Sequence, residues 1–313
     1  MRACKPSSSE RSSSADGLMG WRILASTRPM TTDLLLWLLV AATRLARVVP
    51  RARAEPLCRL AGGVWYLLAP GSRAAVEDNL RHVLGRPPTR REVLGVFRNG
   101  ALNYWDTLAI SSLAPQEVVR LVTIHGLEDL DAALAGGRGA ILVGAHLSSV
   151  ALAAQALPAR GYPLLGLLEP TRPPEVFEFF ARQRQALGAR LLPVSAGGLR
   201  ELLLALRRGE VVALVTDRDV TGTGPVIDFF GQPTRFPDGA AVLSVRTGAP
   251  ILPAYAVRRR DGTFEGWIEP PLPLPAGEPK AAARELTRAV ARRLEYHIAS
   301  HPQQWTVFQR RWP

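Results

Sequence analysis

A histidine at the end of an apolar run is the sharpest chemical feature of this sequence. Ile141-Leu142-Val143-Gly144-Ala145-His146 reads as a strand that stops at Gly144, with His146 in the turn that follows. Open α/β sheets gather their ligands at the carboxyl ends of strands. An imidazole there titrates near neutrality and can act as a general base, although a histidine at a strand end also arises for structural reasons alone. Ser148 and Ser149 stand where the next helix must be capped, and their hydroxyls are candidates for substrate contact. A second cluster, Thr216-Asp217-Arg218-Asp219, follows the apolar run 211–215. Arg218 suits a phosphate or an oxyanion, with Asp217 or Asp219 fixing its orientation; the competing reading is a solvated turn with a local ion pair. No His or Cys accompanies these carboxylates, so a metal is not implied.

Two further groups belong with these. Phe229-Phe230-Gly231-Gln232-Pro233-Thr234-Arg235 reads as a rigid loop. Phe229, Phe230 and Gly231 are candidates to line an apolar pocket, and Arg235 offers a cation to a phosphate; core packing of the two Phe rings is the alternative. The C-terminal stretch His301-Pro302-Gln303-Gln304-Trp305, with Phe308, Arg310, Arg311 and Trp312, interleaves Trp and Arg. That suits a lipid interface, an anchored chain end or stacking on a nucleic acid. Glu169, after a strand-like run, and Arg184, on a helical stretch, complete the candidate set.

The elements that must position these groups alternate. Strand-like runs at 122–125, 140–144, 163–168, 191–194 and 211–216 are separated mostly by helical stretches at 127–135, 149–157, 174–187 and 199–207. This order predicts an α/β fold with a mostly parallel central sheet flanked by helices. Two later strands, 251–258 and 263–268, flank an Asp261-Gly262 turn. Leu286, Val290, Leu294 and Ile298 mark one face of a last helix over 280–300. Upstream, 74–83 and 89–112 read as helices, with Thr89 and Glu92 spaced as a capping box.

Two shorter apolar stretches precede these helices, at 34–42 and 60–70. Each is too short to span a bilayer unaided. Trp37, Trp65 and Tyr66 beside Arg44, Arg47, Arg51 and Arg53 suit helices lying at a membrane interface; a pair of buried core helices is the alternative. Residues 1–30 are Ser- and Arg-rich, read as a disordered tail, and are a possible start-site artefact given Met19 and Met30.

The chain has 313 residues and a net charge of +12, carried almost wholly by arginine. The excess reflects either codon bias or attraction to an anionic partner such as a phospholipid surface, a nucleic acid or a phosphorylated substrate. The arginines are spread along the chain and no nucleic-acid module is present, which disfavours a nucleic acid. The two cysteines, Cys4 and Cys58, make neither a disulfide framework nor a zinc site, so a reduced, intracellular setting is expected.

In order and spacing, these pieces resemble the lipid A biosynthesis acyltransferase family, which includes the phosphatidylinositol mannoside acyltransferases. The matching segments are Val76-Glu77-Asp78-Asn79-Leu80-Arg81, Asn103-Tyr104-Trp105-Asp106, Gly144-Ala145-His146-Leu147, Asp217-Arg218-Asp219, Phe229-Phe230-Gly231, Thr247-Gly248-Ala249-Pro250 and His301-Pro302-Gln303-Gln304-Trp305, across about residues 34–312. The segment from Asp217 to Arg235 looks closer to the phosphatidylinositol mannoside branch. The resemblance implies an enzyme on the cytoplasmic face of the inner (plasma) membrane, peripheral or anchored by its N-terminal apolar helix. It would move a fatty acyl group from an acyl carrier protein or CoA thioester to a hydroxyl of a lipid A-like or phosphatidylinositol mannoside-like glycolipid. It implies one unit over 31–313, with a helical membrane-docking part at 31–120 and an α/β catalytic part at 121–313. No cofactor, metal or nucleic acid is implied, whereas an anionic membrane surface is.

In the family's motif an acid follows the histidine by five positions; here that position is Ala151. Three readings follow. Another carboxylate takes the role, with Glu169, Asp217 and Asp219 as candidates; the histidine works unassisted and slowly; or catalysis is impaired and lipid binding remains.

Overall fold

A computed structural model of the chain describes residues 30–312. Up to residue 29, the expected tail lies outside the described residues, as does Cys4. Helices come first: α1 (Met30–Val48), α2 (Arg51–Leu68), α3 (Pro70–Leu84), α4 (Arg90–Ala109) and α5 (Pro115–Leu121). Prolines open α3 and α5 at the first helical position, where the missing N–H costs nothing. The capping box of α4 is present. Thr89 Oγ1 accepts the Glu92 N–H at 3.3 Å, and Glu92 Oε2 accepts the Thr89 N–H at 2.7 Å. The seven-residue α5 was not expected from the sequence; Glu117 caps it by accepting the Ala114 N–H at 2.7 Å.

The alternation follows: β1 (Val122–His125), α6 (Leu127–Ala135), β2 (Ala140–Gly144), α7 (Val150–Ala154), β3 (Leu164–Leu168), α8 (Pro174–Arg184), β4 (Arg190–Pro193), α9 (Ala196–Arg207) and β5 (Val211–Val215). The chain closes with β6 (Val226–Phe229), β7 (Gln232–Arg235), α10 (Gly239–Thr247), β8 (Ile251–Arg258), β9 (Phe264–Ile268) and α11 (Pro279–Ser300). Seven strands form one sheet in the order β1-β9-β8-β2-β5-β3-β4, parallel at every pairing except β8 with β9. The mostly parallel sheet with flanking helices is as the alternation predicted.

The apolar runs are continuous because both faces are covered. Ile141 and Val143 of β2 pack with Leu202, Leu206, Leu243, Leu286, Val290 and Leu294 from α9, α10 and α11. Their neighbours Ala140 and Leu142 pack on the opposite face, with Leu130 of α6.

Three expectations need correction. The helix read over 149–157 ends at Ala154, and the chain continues in tight turns bonded three residues back, from Gln155 to Leu152 and from Ala156 to Ala153. The rigid loop at 229–235 is a β-hairpin of β6 and β7, turning through Phe230 (φ 53°) and Gly231 (φ 71°). Two consecutive left-handed residues give the turn whose twist matches its strands. Phe229 and Phe236 are fully buried, so core packing describes Phe229. At the C terminus the anchored chain end holds, in place of a lipid or nucleic-acid surface. Trp305 and Trp312 are buried, and Phe308 packs on Trp65 and Phe97.

In α1 and α2, one set of apolar side chains turns inward, Leu36, Leu39, Val40 and Ala46 of α1 packing near Leu108 of α4. Tyr66 also turns inward and is buried beside Phe97, so it is not an interfacial anchor. A second set stays outside. Leu34, Trp37, Leu38, Leu45 and Val48 of α1, and Leu57, Leu60, Val64, Leu67 and Leu68 of α2, are all exposed, Trp37 at 69%. No helix among the described residues is long and apolar enough to cross a membrane.

Candidate active site

The register of the sheet builds the centre. Gly144 of β2 pairs with Val215 of β5 in parallel. His146 and Asp217 each follow two residues later, so the two strands deliver them side by side. Gly144 is required here because a Cβ would lie 2.6 Å from the Ala254 carbonyl of β8. His146 Nδ1 lies 2.7 Å from Asp217 Oδ1, and the His146 backbone N–H donates to Asp217 Oδ2 at 3.1 Å. The Trp305 indole N–H donates to Oδ2 at 2.7 Å. Asp217 is wholly buried, while the His146 side chain keeps 39% exposure.

Burial alone would push the Asp217 carboxyl up. The electrostatic attraction of His146 and the hydrogen bonds from His146 and Trp305 outweigh burial and hold it down, at about 2. Asp217 is therefore an ionised carboxylate, which only accepts hydrogen bonds. The proton of the shared contact sits on His146 Nδ1, and in the neutral ring Nε2 carries the free lone pair. Nε2 makes no hydrogen bond among the described residues.

Two segments clamp the histidine loop. Thr306 donates its N–H to the His146 carbonyl at 2.9 Å, and Ser148 donates its N–H to the Gln304 carbonyl at 2.7 Å. From the other side, Asn103 of α4 donates to the Ser148 carbonyl at 2.8 Å and to Thr306 Oγ1 at 3.1 Å. The Arg311 Nε–H reaches the Asp217 carbonyl, and Asn79 of α3 holds the C-terminal strap, residues 301–312, by bonding Val307, Gln309 and Arg311 backbone atoms.

The other sequence candidates have different places. Glu169 pairs with Arg218 at 3.4 Å rather than with His146. Asp219 accepts N–H bonds from Thr221, Gly222 and Gly224 and shapes its own loop. Arg235 donates to the Gly224 carbonyl and braces that loop. Phe230 and Gly231 form the hairpin turn. Ser149 is at the N-cap position of α7 without a side-chain cap. The buried hydroxyls of Ser148, Ser149 and Thr216, all close to His146 or Asp217 in sequence, have no hydrogen-bond partner among the described residues.

Arg184, the last residue of α8, has no carboxylate partner among the described residues, and its buried Nε is unsatisfied. Burial pushes its guanidinium below the ordinary value, with Tyr104 acting in the other direction. Tyr104 also borders an apolar groove of about 370 Å³ between α2 and α4, lined by Cys58, Ala61, Trp65, Ala101, Trp105 and Leu108. The Trp105 indole N–H is buried there with no partner among the described residues.

Ala151, the position of the absent acid, packs against an apolar cluster that includes Ile110, Leu152, Ala156 and Phe264. An acid introduced there would enter an apolar setting. Ala151→Asp and Ala151→Glu are expected to leave the turnover rate unchanged or lower. A gain of tenfold or more, measured with a fixed thioester and acceptor, would show that position 217 does not serve His146 well.

The profile of the bacterial lipid A biosynthesis acyltransferases matches residues 25–313. The chain belongs to this family. It is an acyltransferase. A phosphatidylinositol mannoside acyltransferase of Mycobacterium tuberculosis is 33% identical over 80% of this chain and 80% of its own length. Another of that name, from Mycolicibacterium smegmatis, is 27% identical over 87% and 89%. A lipid A biosynthesis acyltransferase of Haemophilus influenzae is 27% identical over 58% of this chain and 55% of its own.

The roles of Trp305, Asn103 and Arg311 escaped the sequence reading. Asn103 and Trp305 belong to matched segments, but their partners lie far away in sequence and come together only through the sheet and the strap.

Proposed function

We propose that this acyltransferase uses His146, paired with Asp217, to move a fatty acyl group from a thioester to a hydroxyl of a mannosylated phosphoinositide-like glycolipid. The observation that carries this reading is the 2.7 Å contact between His146 Nδ1 and a buried, ionised Asp217, which leaves Nε2 free at a half-exposed site. His146 Nε2 takes the proton of the acceptor hydroxyl as its oxygen attacks the thioester carbonyl. The tetrahedral intermediate collapses, the C–S bond breaks, and the imidazolium returns the proton to the leaving thiolate. The products are an ester and a free thiol, and no covalent acyl-enzyme forms. Asp217 stabilises the imidazolium between the two proton transfers.

Arg184, whose buried guanidinium has no carboxylate partner among the described residues, takes a phosphate of the substrate. The groove between α2 and α4 holds an acyl chain. The donor is an acyl carrier protein or CoA thioester, and the relatives' names favour a phosphatidylinositol mannoside-like acceptor over a lipid A-like one. The lipid-binding alternative rested on Ala151, and a carboxylate already stands at His146. Incubation with a radiolabelled acyl thioester and a membrane glycolipid should give labelled glycolipid. Lipid binding with no label transferred would leave the binding reading in its place.

The exposed apolar stripe of α1 and α2 lies on an anionic membrane at the cytoplasmic face, with Arg44 and Arg53 among the phosphates. Trp37→Ser combined with Leu38→Ser should abolish flotation with anionic vesicles and leave the melting temperature nearly unchanged. Undiminished flotation would remove this docking face.

A further inference from the structure

One row of cations is not used by any of these features. Lys280, Arg284, Arg288 and Arg292 follow one another at four-residue spacing along α11, and the three arginines are exposed. Such spacing puts them on one side of the helix over about 18 Å. None makes an ion pair or side-chain hydrogen bond among the described residues. This contrasts with Arg293 beside them, which is held by Glu269. Glu285 makes no ion pair among the described residues, and Glu295 is taken by the Phe230 N–H. α10 packs on α11, and its Arg246 is also exposed, with no ion pair among the described residues.

The direction of α11 decides what this row can meet. Its N-terminal end lies at the end of the sheet away from His146. Leu272, in the segment leading to α11, bonds Ile251 at the start of β8, and β8 runs parallel to β2. Its C-terminal end runs into residues 301–306, which clamp the His146 loop. α4 also sits at the His146 end, through Asn103 and Ser148, and carries α1 and α2 with it. The row therefore runs from the far end of the sheet towards the His146 end, along a helix that leads to the site.

We propose that the Lys280–Arg292 row of α11 is a docking surface for an acidic protein that carries the acyl thioester, presenting a helix with carboxylates at matching three- and four-residue spacing. This rests on the thioester-donor reading above. Charge complementarity speeds encounter and sets register. The row ends nine residues before His301, about 14 Å along the helix, so a carrier bound there sits beside the same helix that leads to the site. A CoA thioester, which has no such helix, would not need the row.

The test compares the full chain with Arg284→Glu/Arg288→Glu/Arg292→Glu, using one acyl chain on acyl carrier protein or on CoA. The variant is expected to raise KM for the carrier thioester about tenfold or more, and to leave kcat and KM for the CoA thioester within about twofold. The wild-type carrier KM should rise steeply with salt. Equal effects on both donors, no effect on either, or use of CoA thioester alone would overturn the docking surface. Binding of fluorescently labelled acyl carrier protein, read by anisotropy, tests the surface without turnover. Carrier binding lost in the variant supports it, even if no acyl transfer occurs and the catalytic reading fails. Unchanged carrier binding with weakened flotation on anionic vesicles would assign the row to the membrane and overturn the proposal.

Discussion

Asp217→Asn is expected to lower kcat by about 10³–10⁴-fold, with KM for the thioester changed about twofold or less. The fold should tolerate the change, since an amide of the same shape fills the same buried space. What is lost is the charge and the tautomer. The carboxylate accepts from His146 Nδ1 at 2.7 Å, from the His146 backbone N–H at 3.1 Å and from Trp305 at 2.7 Å. An amide also donates. If its NH₂ faces the imidazole, Nδ1 becomes the acceptor, the proton moves to Nε2, and the base is lost at the atom that faces the acceptor hydroxyl. The imidazolium formed during attack also loses its counter-charge. In serine-protease triads the same substitution costs about 10⁴ in rate. Because Asp217 is held at about 2, below its ordinary 3.8, the stability it contributes is present above about pH 4 and is lost as pH falls towards 2. The Asn variant should lack that part of the acid sensitivity. Stopped assays at saturating thioester, with melting curves from pH 2 to 7, measure both effects.

Asp106→Ala is expected to destabilise the fold by about 3–5 kcal/mol, a large fraction of the stability of an ordinary domain. Asp106 of α4 is almost wholly buried between two guanidiniums. Arg51, the first residue of α2, reaches Oδ1 at 2.7 Å, and Arg258, the last residue of β8, reaches Oδ2. Both guanidiniums also lie over the Phe264 ring. Removing the carboxylate leaves two like charges facing each other with most of their water stripped away. The damage should spread to the site, because Arg258 also donates to Asn103, and Asn103 clamps the His146 loop. Urea unfolding should show a lower midpoint with an unchanged slope. A loss below about 1 kcal/mol would mean that the cluster is solvated and holds little together.

The sheet was legible in the sequence where apolar runs are bounded by glycine or charge. The runs at 122–125, 140–144 and 251–258 match β1, β2 and β8 to the residue. The hairpin of β6 and β7 was hidden because Phe230 occupies a left-handed turn position that glycine or asparagine usually marks. His146 was visible as a chemical group at a strand end. Its partner was only one of three carboxylates, since choosing among Glu169, Asp217 and Asp219 needs the register of β2 on β5. That register depends on side-chain fit across the sheet, which one sequence does not display. The interleaved Trp and Arg at the C terminus suited a lipid or nucleic-acid surface as readily as an anchored chain end. Trp305 and Arg311 fold inward because Asp217 and the Asn79 backbone clamp offer them buried partners.

The central claim is that His146 and Asp217 work as one unit in acyl transfer, and a double-mutant cycle on kcat tests it most directly. His146→Ala, Asp217→Ala and the double variant should be assayed with one labelled thioester and one glycolipid acceptor. The account predicts that His146→Ala falls to background and that adding Asp217→Ala slows it no further. Wild-type rates in His146→Ala, or two losses that multiply in the double variant, would contradict it.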